Sequence, residues 1–175
     1  MRLKTRRLTI RPIVPEDWQS VRRIWLDFRQ SPYAAYDTPH DTDEERVRQR
    51  IARWAAAAAQ GTAHMFFAVC LQEEMIGYTA FNLRPDSHEI GYCFHSAAHG
   101  HGYASESHRA LFAHLRTLGI TRFTIRTALA NTPSVALVRS LGFTQTGTET
   151  VSFCQDAQGA LIEFEGGVFR LDTAG

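Results

Sequence analysis

The stretch Glu89-Ile90-Gly91-Tyr92-Cys93-Phe94, followed by His99-Gly100-His101-Gly102-Tyr103-Ala104 and then Ser105-Glu106, decides how this chain folds. The first part reads as a strand. The last part opens a helix whose apolar stripe is Ala104, Leu111, Leu115 and Leu118, with Gly119 as its C-cap. Between them, glycines allow the backbone to turn tightly and to approach a ligand with no Cβ in the way. The first amides of a helix have no intrahelical partners and point outward, which makes them an anion site. Strand, glycine loop and helix in this order describe a phosphate cradle. A plain strand-to-helix turn is the alternative that the glycines alone leave open.

Upstream, residues 65–71 and 75–83 are strand-like runs separated by Gln72-Glu73-Glu74, and with residues 89–95 they predict an antiparallel meander. Before them, residues 8–11 alternate apolar and polar and stop at Pro12. Pro15-Glu16-Asp17 opens a helix carrying Val21, Ile24, Trp25 and Phe28 at helical spacing. A second helix is predicted over residues 43–59, with Thr42 and Glu45 at capping-box spacing and Val47, Ile51 and Trp54 as its stripe. Downstream, residues 122–129 read as a strand, and Asn131-Thr132-Pro133-Ser134 has the cap chemistry of a helix start. Val135, Val138 and Leu141 form that helix's stripe. Two strands, about residues 143–154 and 161–171, close the chain around Asp156-Ala157-Gln158-Gly159. No repeat or linker interrupts this order, so one domain over residues 1–175 is expected.

Composition narrows the partners. At 175 residues, 44% hydrophobic and 21% charged, the chain can bury a core without staples and is not of disordered type. Its 19 basic and 18 acidic residues nearly cancel, which gives no support for nucleic acid or an anionic membrane as a partner. Cys70, Cys93 and Cys154 have no CxxC spacing and lie among apolar residues, as reduced cytosolic thiols do. The N-terminus MRLKTRRLTIRP lacks the apolar run of a signal peptide, and no stretch is long and apolar enough to span a bilayer. A cytoplasmic location is expected. The sequence sets no oligomeric state, and a homodimer is compatible with it.

The loop resembles motif A of the GNAT superfamily of N-acetyltransferases, Gln/Arg-x-x-Gly-x-Gly/Ala, here His99-Gly100-His101-Gly102-Tyr103-Ala104. Ala130-Asn131-Thr132-Pro133-Ser134, ending in Leu141-Gly142-Phe143, is similar to the family's Asn-x-x-Ser and Leu-Gly-Phe. Leu3-x-Thr5-x-Arg7-Leu8-x-Ile10-Arg11-Pro12 resembles the branch of ribosomal-protein N-terminal acetyltransferases, as do Glu89-Ile-Gly-Tyr and Gly102-Tyr-Ala-Ser-Glu106. The four motifs stand in register over nearly the whole chain. The resemblance implies an α+β GNAT fold: a mixed, mostly antiparallel twisted sheet of about six to seven strands flanked by about four helices. It also implies acetyl-CoA as co-substrate, an amine acceptor and direct transfer in a ternary complex.

The resemblance places the pyrophosphate of CoA on the amides of His99, Gly100, His101, Gly102, Tyr103 and Ala104. It places the pantetheine arm beside the backbone of Cys93 and Phe94 and near Asn131 and Ser134. Glu89 is the candidate general base for the protonated amine, acting directly or through water, and an exposed or ion-paired strand glutamate is its alternative. Ser134 is the candidate partner of the departing thiolate, against a first-turn serine that only satisfies a backbone amide. Two positions depart from the family: His99 stands where Gln or Arg is usual, and Val138 where many relatives place a tyrosine acid. His88, His95, His99 and His101 fall close together, but no cysteine or carboxylate has matching ligand spacing, so no metal is expected. A catalytically silent acyl-CoA-binding sensor on the same fold is the rival reading. A nucleotide module is disfavoured because no Lys-Ser/Thr follows the glycines.

Overall fold

The computed structural model describes residues 1–174. Alternation sets the layers. In β3 (His64–Leu71) every residue from Met65 to Cys70 is buried, so the run is apolar throughout rather than alternating. Met65 and Phe67 face one side of the sheet, and Phe66, Ala68 and Cys70 face the other. β4 (Glu74–Leu83) and β5 (His88–Phe94) continue the antiparallel meander. With β1 (Leu3–Lys4), β2 (Leu8–Pro12), β6 (Arg122–Ala128), β7 (Thr144–Gln155) and β8 (Leu161–Asp172) they form one sheet in the order β1-β2-β3-β4-β5-β6-β8-β7. Among the described residues there are eight strands, where about six to seven were expected. The two-residue β1 is too short to show a period of its own.

Two helices cover each face. α1 (Trp18–Phe28) and α2 (Glu44–Ala59) bury Val21, Ile24, Trp25, Val47 and Ile51 against Phe66, Tyr78 and Cys93. α3 (Tyr103–Thr117) and α4 (Thr132–Ser140) bury Leu111, Leu115, Val135 and Val138 against Phe81, Phe123, Ile125 and Phe169. Each fully buried ring contributes about 2–3 kcal/mol by leaving water. Two local expectations change. α2 is capped by Asp43, whose carboxylate accepts from Arg46 N at 3.1 Å, while Thr42 Oγ1 accepts from Arg29 at 2.9 Å instead. Leu118 is 51% exposed and leaves the stripe of α3, because the helix ends at Thr117 and Ile120 N–H donates to Leu115 O.

Gly77 and Phe94 are register partners on β4 and β5, and a Cβ on Gly77 would lie 2.3 Å from the Phe94 ring. Gly77→Ala is expected to lower stability by about 1–3 kcal/mol through overpacking. Urea unfolding reads it, and an unchanged midpoint would show that the ring can move aside.

Candidate active site

β5 and β6 run parallel, and they pair only at His88 with Phe123 and Glu89 with Thr124. Beyond that point they diverge, while β5 stays paired with β4 as far as Phe94 opposite Gly77. The sheet is therefore open along the β6-facing edge of residues 90–94. A loop leads from that edge into α3. Ser96 donates its amide and hydroxyl to Asp27 of α1 at 2.7 and 2.6 Å. Burial raises the Asp27 carboxyl, but the bonds from Ser96 outweigh it and hold the group below its ordinary value. His99 turns inward, with Nε2 donating to Phe94 O at 2.9 Å, so its ring braces the loop against the strand. Gly100 and Gly102 both have φ +76°, the left-handed region, and Gly102 is the N-cap of α3. Glu106 N to Gly102 O, at 3.0 Å, is the first bond of the helix. Among the described residues, the amides of residues 100–105 have no acceptor.

At the other side of the opening stands α4. Asn131 caps it by accepting from Ser134 N at 3.2 Å. Ser134 Oγ sits 2.7 Å from Tyr92 Oη and accepts from Thr127 Oγ1 at 2.8 Å. These hydroxyls come from α4, β5 and β6 and meet where the strands part. Burial pushes the Tyr92 phenol up to about 12, against the hydrogen bond to Ser134, so it stays neutral. Val138 is fully buried in the core. Sequence reading picks out neither Tyr92 nor Thr127, because Tyr92 and Ser134 are 42 residues apart and no local pattern joins them.

The opposite face of β5 carries Glu89, Gly91 and Cys93. Glu89 accepts from Arg84 Nε at 2.5 Å and from Arg126 at 2.9 Å, one guanidinium on each carboxylate oxygen. Burial raises its carboxyl, and the two arginines reverse this and hold it below the ordinary value. A Cβ on Gly91 would meet nothing within 4 Å, so space lies open there. Burial, with help from the Asp37 and Asp27 charges, pushes the Cys93 thiol up to about 12, which keeps it unreactive.

On this same side a cavity of about 430 Å³ is lined by Phe28, Arg29, Pro39, His40, Asp41 and Cys154 among others. His40 stacks on Trp25 with centroids 4.7 Å apart, and its Nε2 lies 3.8 Å from Asp37. Burial lowers the His40 imidazole and raises the Asp37 carboxyl, each opposed by the attraction between them. Tyr33 and Tyr36 border this segment, and Tyr36 packs on Phe164 of β8 at 5.2 Å. Trp54 stacks on Phe66 at 4.6 Å and belongs to the core on the α1 and α2 face.

The histidines near the loop point to separate partners: His88 to Thr62 O, His95 to Ala97 N, His99 to Phe94 O, and His101 onto Tyr103. Among the described residues no three His, Cys, Asp or Glu side chains converge.

The sheet is thus split between parallel neighbours, with unpaired helix-start amides at the end of the split. The chain belongs to the GNAT acetyltransferase family: residues 7–144 match the family model described as Acetyltransferase (GNAT) domain. It is 30% identical over 166 residues to an uncharacterized N-acetyltransferase, p20, of Bacillus licheniformis, covering 92% of this chain and 91% of the relative. Among solved structures it resembles RimL, the ribosomal L7/L12 α-N-protein acetyltransferase in complex with coenzyme A, with TM-score 0.83, 21% identity and 98% of both chains covered. It also resembles the microcin C7 self-immunity acetyltransferase MccE bound to acetyl-CoA and AMP, with TM-score 0.76, 15% identity, and 96% and 93% of the two chains covered. At such identities these structures share the fold.

Proposed function

We propose that the chain is an acetyl-CoA-dependent N-acetyltransferase that passes an acetyl group directly to a primary amine in a ternary complex. The single observation that carries this reading is the opening between β5 and β6, which ends in the unpaired amides of residues 100–105. The fit to CoA is chemical. A strand-like pantetheine arm can pair with the β6-facing backbone groups of Tyr92 and Phe94, on either side of Cys93, which pairs with Tyr78 of β4. A pyrophosphate finds the amides of Gly100, His101, Gly102, Tyr103 and Ala104 at the positive end of α3, with His99 bracing the loop. Bound there, the donor supplies an acetyl thioester.

The chain's own residues supply positioning and proton control. Backbone N–H groups on the free edge of β5 face the reacting carbonyl and stabilise charge developing on its oxygen. Ser134, polarised by Tyr92 and Thr127, donates toward the leaving sulfur, and Asn131 fixes the helix start that holds it. Glu89, whose carboxyl two guanidinium groups hold below its ordinary value, draws a proton from the amine through water. The cavity between the α1–α2 connection and β7 takes the acceptor. Its size lies in the range of small-ligand sites. Arg29, Asp41 and His40 give it both charges beside an apolar wall, which suits a protein N-terminal residue or a small amine. RimL bears the name of a protein N-terminal acetyltransferase, which places a peptide amine first in the screen. We read the chain as one domain working in the cytoplasm. Its three cysteines are free, and among the described residues no helix is long and apolar enough to cross a membrane.

A second reading, a silent acyl-CoA sensor, draws on the ion pairs at Glu89 and the buried Val138. Release of free CoA thiol from acetyl-CoA separates the two. The panel comprises peptides with N-terminal serine or alanine, free amino acids, polyamines and an aminoglycoside. Turnover with at least one amine is expected. CoA binding with no thiol released from any of them would favour the sensor.

A further inference from the structure

The carboxylate of Glu106 lies in the first turn of α3, beside amides suited to an anion. Alone it would favour the helix dipole but repel a phosphate. Both oxygens are taken up by the N-terminal arm. Oε1 accepts from Thr5 Oγ1 at 2.5 Å and Arg7 N at 3.0 Å, and Oε2 accepts from Arg7 Nε at 2.7 Å and from Arg7 NH2 at 2.7 Å. The remaining arm of the Arg7 fork, NH1, donates to His101 O at 2.9 Å, and the guanidinium lies 4.5 Å over the Tyr103 ring. One planar group therefore fixes Glu106, Tyr103 and a loop carbonyl together. In a planar peptide the C=O and N–H point in opposite directions. Pulling His101 O toward Arg7 turns Gly102 N–H the other way, toward the cradle.

We infer that Arg7 is a positioning residue for the donor site, holding the His101–Gly102 peptide so that the Gly102 amide faces the pyrophosphate. The inference rests on the reading of the glycine loop as the pyrophosphate site. Orientation, and not charge alone, is the device. A lysine can pair with Glu106, but its single ammonium cannot span the carboxylate and His101 O while lying flat on Tyr103.

Calorimetric titration of CoA and of 3′-dephospho-CoA, which keeps the pyrophosphate, into wild type, Arg7→Lys and Arg7→Ala tests this. Both variants should bind each ligand about tenfold or more weakly, the scale of one misaimed hydrogen bond to a charged group. The lysine variant should keep a ligand-free melting temperature close to wild type, and it carries the test if the alanine variant does not fold. Wild-type affinity in Arg7→Lys would show that charge suffices and overturn the inference. A loss seen with CoA but not with 3′-dephospho-CoA would move the contact to the 3′-phosphate and overturn it equally. A wild-type protein that binds neither ligand would remove the donor-site reading, and the inference with it.

Discussion

Replacing Gly102 with valine is expected to abolish the rise in melting temperature that millimolar CoA gives the wild-type protein. A ligand at about 100 times its dissociation constant adds about 2.7 kcal/mol to stability, a shift of several degrees for a chain of this size. The backbone at Gly102 has φ +76°, where a β-branched side chain is a severe outlier. A Cβ there would point at Arg7, 3.6 Å from its NH2, and not into the anion site. The damage therefore comes from the backbone. Valine drives residue 102 out of the left-handed region, re-aims its amide and the next, and presses on the group that holds His101 O. Gly100→Ala is the companion variant. It shares φ +76° but meets nothing within 4 Å, so it should lose only part of the shift. Differential scanning fluorimetry with and without CoA reads both. A full shift in Gly102→Val would mean that these amides do not hold the donor.

This loop was legible because everything that makes it is local. Glycines, a helix start and a preceding strand follow one another within twenty residues, and the physics of helix termini does the rest. The helices and central strands were legible for the same reason. Each has a stripe or an apolar run long enough to show its period, as Val21, Ile24 and Trp25 do, or residues 65–70. Boundaries slipped where adjacent residues compete for one role: Thr42 and Asp43 can both cap α2, and the carboxylate took the place. The side-chain machinery was far less legible. Tyr92 meets Ser134 across 42 residues, Arg7 meets Glu106 across 99, and Arg126 reaches Glu89 across 37. Only the tertiary fold brings these groups together, as β6 set parallel beside β5 does for Glu89 and Arg126. His99 shows the converse. Its place in the motif suggested a phosphate contact, while the nearby Phe94 carbonyl offered its ring a partner at 2.9 Å.

The chemistry separates most clearly in a pair of substitutions measured on the best acceptor. Ser134→Ala is expected to lower kcat by about 10²-fold, the effect of removing one aimed donor, with CoA binding retained. The hydroxyl is held by Tyr92 and Thr127 at 2.7 and 2.8 Å, so its loss leaves the leaving sulfur without the end of a prepared chain. Glu89→Gln is also expected to retain CoA binding and to cost about 10²-fold. That is the low end for a general base, because two arginines hold the carboxylate below its ordinary pKa and make it a weaker base than a free one. The pH profiles then part. Below the pKa of the acceptor the amine arrives protonated and needs a base, whereas above it the proton is already gone. The Glu89→Gln deficit should shrink as pH rises through that pKa, and the Ser134→Ala deficit should stay level. Tyr92→Phe should fall between wild type and Ser134→Ala, since it removes one partner of the hydroxyl and not the hydroxyl itself. If neither Glu89→Gln nor Ser134→Ala changes kcat by more than about threefold, the two side chains serve the ion pairs and the helix cap. Transfer would then depend on backbone amides and on how closely the cavity holds the amine.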